Sequence, residues 1–459
     1  MSKRFSRTLY VFRNLQFGNL QFAILLILSL FLFSYRVWSP AVIFTDELFI
    51  EDAAYTMAHG GSWVIPTIAG EPYLAKPPLL YWITAPLYWF FSPQPWVYRI
   101  WMVPFGIGTV WVTYLLAKKW YGEKSGFFAG LFVATSIPFV YFTKTGNFDL
   151  PNAFFAILTI YFYNLSKKNS RYLILAALSF SLGILNRSFL ALTPLIVIAA
   201  DWIRFHKNRP PFILTSLFLI LIFTLPWHIL AFNANARAFA SEYIGLPLTY
   251  HAQGIVPGDT ASTPFYYLIL FVLFPPTIFA LLFMYKKVKP LTSPMLQLLL
   301  STLIPFLILS LSPTRHEWYI VPLVPFLAIM AGNFVGSSLH YSSQPSLKQF
   351  LLLIATCTML LSAPFALLLS PLPQAETVTI GNMLIARTKP TEEIWMWKYP
   401  FLPVTRFYPG RKTRVVAEKT IFTPPFVLIA RTEDVAAVPL PPHVRTIYKS
   451  EQFTALTAP

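Results

Sequence analysis

The chain has 459 residues, of which 56% are hydrophobic, 17% aromatic and only 12% charged. An average soluble domain carries about twice that charged share, so this composition, with a mean hydropathy of +0.58, excludes an ordinary soluble enzyme and defines a membrane protein. The net charge of +17 reads first as a topology signal and not as a nucleic-acid footprint, and the single cysteine, Cys357, excludes an internal disulfide or a thiolate metal cluster.

In chain order, apolar runs of roughly the 20 residues needed to cross a bilayer predict eleven spans, over 20–38, 96–117, 125–143, 150–165, 172–186, 189–203, 212–232, 264–284, 294–311, 318–338 and 350–370. The basic, then apolar N-terminus is long and lacks a small-residue cleavage pattern, so it reads as an uncleaved first helix. The spans at 150–165 and 172–186 are short and suit tilted or partly broken helices. With the N-terminus inside, the cytoplasmic segments carry 17 Lys and Arg, against 7 on the opposite side before residue 371. That bias places the N-terminus in the cytoplasm and the C-terminus outside. Of the 11 acidic residues before residue 371, nine fall on the outer side, so the unusual chemistry is expected there.

Three outer segments are long enough to carry structure: 39–95, 233–263 and 371–459. The first contains "EDAAYTMAHGG" and "PPLLYWITAPLYWFF", suited to helices lying along the membrane interface. In the last, "TVTIGNMLIARTK", "TRVVAEKTIF", "PFVLIARTEDV" and "VRTIYKSEQF" are short β-branched runs punctuated by proline and charge. The expected fold is therefore an all-α polytopic membrane bundle over residues 1–370, followed by a small extracytoplasmic α/β domain over 371–459.

The outer segments also hold the candidate chemistry. Four carboxylates, Asp46, Glu47, Glu51 and Asp52, follow the first span within "FTDELFIED". Carboxylates at the mouth of a bundle are solvated, paired or functional; Glu51 and Asp52 suit the wet face of an interfacial helix. Further on, "GEPYLAKPPLLYW" presents Lys76 from a backbone that Pro77 and Pro78 hold extended. An ammonium opposite an aspartate suits an anionic lipid substrate: Lys76 holds phosphate as a point charge and Asp46 takes a proton from an attacking hydroxyl. Asp149, in "GNFDLPNAFF", heads a span where the helix dipole favours negative charge, and it reads equally as an N-cap or as a functional acid. In "SPTRHEWYIVPLVP", Arg315 and Tyr319 are placed to hold a phosphate, unless Arg315 simply pairs with Glu317.

The Asp46–Glu47 pair, the "GGSWVIP" that follows it, "EPYLAKPPLLYW" and Arg99 together resemble the opening loop of bacterial glycosyltransferase family 39, whose members have the GT-C fold. "NFDLPNAFF" resembles the second acidic motif of that family and "RHEWYIVPLVPFLAI" its late motif, so the resemblance covers about residues 20–340. It implies transfer of a sugar from a polyprenyl-phosphate donor to a hydroxyl of a lipid, glycan or protein on the outer face of the plasma membrane. It also implies roles: Asp46 as base, Glu47 beside it, Asp149 as second acid, with Lys76, Arg315 and Tyr319 at the donor phosphate. Departures are local. Phe49 and Ile50 stand where the family commonly has Arg and Tyr, and Ala75 stands where the lipid A-modifying branch has Glu. "SEYIGLPLTYHAQG" lacks the His then Arg-Phe of the family's mid-chain loop, so the sequence does not support a divalent metal. A polytopic transporter is the rival reading, but it calls for polar residues at the bilayer midplane and an inverted repeat, and the sequence shows neither.

Overall fold

The computed structural model describes residues 20–38, 45–68, 71–91, 94–205, 211–245, 273–287, 290–311, 317–338, 352–361, 392–397, 413–416, 424–450 and 453–458, and also 270, 346, 349, 383, 384, 386–389, 420 and 422. Helices dominate because apolar runs without water must satisfy their backbone groups internally. They are α1 (Leu20–Ser34), α2 (Thr45–Ala58), α3 (Leu79–Thr84), α4 (Pro95–Arg99), α5 (Met102–Tyr121), α6 (Glu123–Ala134), α7 (Ile137–Phe142), α8 (Asp149–Ser166), α9 (Tyr172–Arg187), α10 (Thr193–Phe205), α11 (Pro211–Ala234), α12 (Thr277–Lys287), α13 (Ser293–Leu311), α14 (Val324–Ser338) and α15 (Leu352–Leu361). Each predicted span contains helix among the described residues. Among the described residues, four helical stretches are long and apolar enough to cross a membrane, Trp96–Tyr121, Leu217–Ala234, Ser293–Ser310 and Trp318–Ser338, while α1, α9 and α15 are apolar but shorter.

Local chemistry explains where the helices break. The predicted span 125–143 divides at Ser136, whose hydroxyl oxygen accepts the Phe139 N–H and caps α7, with Pro138 unable to extend the preceding ladder. α5 ends where Lys118 and Lys119 meet its negative pole and Gly122 takes φ 93.

The centre of the bundle is α14, buried along most of its length against α5, α6 and α12. Its approach to α6 depends on Gly332 and Gly336, one turn apart: a Cβ at Gly332 would lie 2.5 Å from the Ala129 nitrogen, and one at Gly336 2.9 Å from that of Ser125. Small residues at this spacing let helix backbones touch. Gly332→Leu should therefore push the helices apart and cost about 1–3 kcal/mol through overpacking, read as a lower unfolding temperature of the detergent-solubilised protein. By contrast α1 and α11 expose Ile27, Phe31, Phe218, Leu221 and Leu230 outward, as lipid-facing helices do.

Among the described residues, the C-terminal region contains a five-stranded mixed sheet. β3 (Ile394–Trp397) lies parallel to β4 (Thr413–Val416) and β5 (Phe426–Arg431). β7 (Phe453–Ala458) lies antiparallel to β5 and to β6 (Arg445–Lys449). Trp395, Trp397, Phe422 and Phe426 form a core on one face. Three of the four predicted runs contain strands. In the first, the described residues Met383, Leu384, Ala386 and Arg387 are helical instead, and "IWMW" and "FTALTA" are strands that the sequence reading did not propose.

Candidate active site

The site is built at one end of the bundle, beginning with the first turn of α2. Glu47 is fully buried, and its carboxylate accepts hydrogen bonds from Arg99 Nε and Nη2, each at 2.8 Å, from the Gly146 N–H at 2.8 Å and from the Tyr98 hydroxyl at 3.3 Å. Such a bidentate, charge-assisted pair fixes direction as well as distance. It ties α2 to α4 and to the turn before α8. Gly146 is required there, because a Cβ would lie 2.7 Å from the Tyr98 ring. Asp46, the preceding residue, is only half-buried and lies beside this clamp without being part of it.

The loop carrying Lys76 packs over the same end. It forms a two-strand hairpin, β1 (Thr67–Ile68) with β2 (Glu71–Pro72), and Pro78 then leads directly into α3, where a missing N–H is tolerated. Its apolar residues Leu74 and Leu79 are buried with Phe155, Leu185, Trp227, Phe239 and Tyr243. The Trp227 indole donates to the Val64 carbonyl at 3.0 Å. Lys76 Nζ lies 5.5 Å from the centre of the Phe148 ring. Burial pushes the Lys76 ammonium down from its usual range to about 8, Arg187 adds to that push, and Asp46 and Asp149 oppose it. All three charges thus act on Lys76. Burial also holds the Tyr73 phenol well above its usual range, and the Asp46 carboxylate reinforces the effect.

Asp149 is the first residue of α8, after the N-cap position at Phe148, and it is Asn147 whose Oδ1 accepts the Leu150 N–H at 2.8 Å. The N-cap reading of Asp149 is thereby replaced. Its Oδ2 lies 3.1 Å from Arg187 Nη2 in an ion pair whose side chains are 2% and 4% exposed. Asn186, next to that arginine, donates to the Phe148 carbonyl at 2.8 Å, so consecutive residues of α9 hold consecutive residues at the head of α8. α9 ends at Ser188 with φ 56, a value that costs a non-glycine residue about 1–3 kcal/mol and concentrates at functional sites. Arg187 Nε and Nη1 are buried with no hydrogen-bond partner among the described residues, and its guanidinium carbon lies 5.7 Å from the centre of the Tyr319 ring.

Of the residues singled out from sequence, Asp46, Lys76, Asp149 and Tyr319 converge here, whereas Glu47 is committed to the Arg99 clamp. Arg315 lies outside the described residues. The sequence reading overlooked Arg187. Its signal was an arginine in "ILNRSF" at a span end that the predicted topology places outside, against the positive-inside bias. Among the described residues, no group of three or more His, Cys, Asp or Glu side chains is placed to hold a metal ion.

Residues 75–229 match the family model described as dolichyl-phosphate-mannose-protein mannosyltransferase. Among curated proteins the chain is 26% identical over 338 residues to an uncharacterized protein of Aquifex aeolicus (strain VF5), covering 69% of this chain and 64% of that one. It is also 26% identical over 319 residues to the undecaprenyl phosphate-alpha-4-amino-4-deoxy-L-arabinose arabinosyl transferase of Shewanella sediminis (strain HAW-EB3), covering 66% and 56%. The alignments thus span less than two thirds of either relative's length. Among solved structures, ArnT from Cupriavidus metallidurans in the apo state superposes with a TM-score of 0.77 at 15% identity, over 95% of this chain and 97% of that one. The same protein bound to undecaprenyl phosphate gives 0.73, with the same identity and coverage. The fold is therefore that of the GT-C membrane proteins. Within that class, the chain is similar to glycosyltransferase family 39, which includes the aminoarabinose transferases and the protein mannosyltransferases.

Proposed function

We propose that this protein is a multi-pass inner-membrane glycosyltransferase that moves a sugar from a polyprenyl-phosphate donor to a hydroxyl of a lipid, glycan or protein on the outer face. The observation that carries the reading is the meeting of two cations, Lys76 and Arg187, with two carboxylates, Asp46 and Asp149, contributed by four separate segments. Two cations suit a lipid phosphate, and a half-buried carboxylate beside them suits the acceptor hydroxyl. The likeness to an arabinosyl transferase named for an undecaprenyl-phosphate-linked donor supports the same class of donor.

In this mechanism Asp46 takes the proton of the acceptor hydroxyl as its oxygen attacks the anomeric carbon from the face opposite the phosphate. The bond between that carbon and the phosphate oxygen breaks, and polyprenyl phosphate leaves with inversion at the sugar. Lys76 and Arg187 stabilise the charge that develops on the leaving group. Asp149 aims Arg187, and Tyr319 packs against its guanidinium. Glu47 is assigned a scaffolding role, since its oxygens are already engaged by Arg99, Tyr98 and Gly146. No nucleotide is needed, because the leaving phosphate is supplied on the lipid.

Lys76 gives the test. Lys76→Ala should lower both the maximal rate and the apparent affinity for a polyprenyl-phosphate sugar, because the charge matters most in the transition state. Lys76→Arg should restore part of the activity, since it keeps the charge but changes shape and reach. With its ammonium held down near 8, Lys76 loses its charge as pH rises through that value, so donor affinity should weaken above about pH 8 and be full below it. A bound phosphate would shift that limb upward. An unaffected Ala variant, or an alkaline limb unchanged by Lys76→Arg, would remove Lys76 from the donor site.

The outer placement has its own test. A reporter fused after residue 370 should read extracytoplasmic, and one in 167–171 cytoplasmic; the reverse pattern would put the site on the wrong side of the membrane.

A further inference from the structure

Glu242 lies far from Lys76 in the chain, in the π-helical turn Phe239–Gly245 that follows α11. Its Oε2 accepts the backbone N–H of Leu74 at 2.6 Å, across 168 residues. The turn that carries it is firmly seated. Phe239 and Tyr243 are buried against Trp227, and Tyr243 shares a 2.8 Å hydrogen bond with His228 Nε2.

Leu74 is two residues before Lys76, and the two residues after Lys76 are prolines with no N–H to give. The segment therefore has few backbone donors with which to fix itself. Downstream it is held by α3, where the Pro78 carbonyl accepts the Trp82 N–H at 2.9 Å. Upstream, the Tyr73 N–H donates to the Pro66 carbonyl at 2.8 Å within the hairpin. The Trp227 indole on α11 holds the loop at Val64, before the hairpin, and Glu242, in the turn after α11, adds a tie at Leu74, on the Lys76 side of it. A carboxylate accepting a backbone N–H makes one of the stronger hydrogen bonds available for this purpose.

We infer that Glu242 is a positioning residue for the donor phosphate: by fixing the backbone at Leu74 it sets where the Lys76 ammonium stands over the Phe148 ring. This rests on the donor-site reading of Lys76 and adds the group that makes that lysine effective. Because only an acceptor oxygen is required of it, the side-chain amide of glutamine serves in place of the carboxylate.

The test is a double-mutant cycle read by binding of undecaprenyl phosphate to the full-length protein in detergent, with size-exclusion profiles confirming intact protein. Glu242→Ala should weaken binding about tenfold, the scale of a lost hydrogen bond to a charged group. Glu242→Gln should stay within about threefold of wild type. In a Lys76→Ala background, Glu242→Ala should cause no further loss, because residues acting through one contact are not additive. Full additivity in the double variant would overturn the inference while leaving Lys76 at the donor site. So would a Gln variant as weak as Ala. If Lys76→Ala itself binds like wild type, the donor-site reading fails, and this inference with it.

Discussion

Replacing Asp46 by asparagine should lower the rate of sugar transfer by about 10²–10⁴-fold, the usual contribution of a positioned general base, while leaving undecaprenyl phosphate binding intact. The change keeps the size of the side chain and its hydrogen-bonding reach and removes only its basicity. Asp46 is half-buried and outside the Arg99 clamp, so its loss as a charge should not unfold α2. The assay is turnover of a polyprenyl-phosphate sugar by purified variant and wild type, with binding measured in parallel. Near-wild-type turnover would reject Asp46 as the base and move that role to Asp149, the other carboxylate of the site. A joint loss of binding and turnover would make Asp46 a part of donor recognition instead.

The second large effect falls on stability. Glu47 and Arg99 are both 0% exposed and 2.8 Å apart, and the same carboxylate also holds the Gly146 N–H. Glu47→Ala leaves a guanidinium buried without its counter-charge, a change that typically costs about 3–5 kcal/mol. The expected result is a sharp fall in folded, detergent-stable protein, seen as a lower unfolding temperature and poor size-exclusion behaviour. Removing both partners in a Glu47→Ala, Arg99→Ala double variant should be less damaging than Glu47→Ala alone, since no buried charge is then stranded. A Glu47→Ala protein as stable as wild type but inactive would reverse the assignment and return Glu47 to the chemistry.

These contrasting expectations for neighbouring residues show what the sequence could and could not convey. The apolar runs were legible because a bilayer demands long, weakly charged helices, and each of them contains helix. Asp46, Lys76, Asp149 and Tyr319 stood out as candidates because their types are costly where they stand and because they sit in motifs. The pairing of Glu47 with Arg99 was not legible: it joins residues 52 apart, and no local pattern separates a clamped carboxylate from a working one. Arg187 was hidden for a related reason. At the end of an apolar run an arginine reads as a headgroup anchor, and only the fold of α9 against α8 turns it toward Asp149. In the C-terminal region, "IWMW" is too short to show an alternation, and "FTALTA" has only Phe453 and Leu456 as large apolar residues. The helical residues around Leu384 were mistaken for strand because a short apolar run has no decisive period.

The central claim is that this site transfers a sugar from a polyprenyl phosphate on the outer face. It is tested most directly by mass spectrometry of the envelope lipids, glycans and proteins of cells carrying the wild-type gene, no gene, or the Asp46→Asn allele. The account predicts that one glycosylated species disappears in both altered strains and that a polyprenyl-phosphate-linked sugar accumulates in its place. An envelope unchanged in all three strains, or a species lost without the gene but fully present in the Asp46→Asn strain, would contradict it.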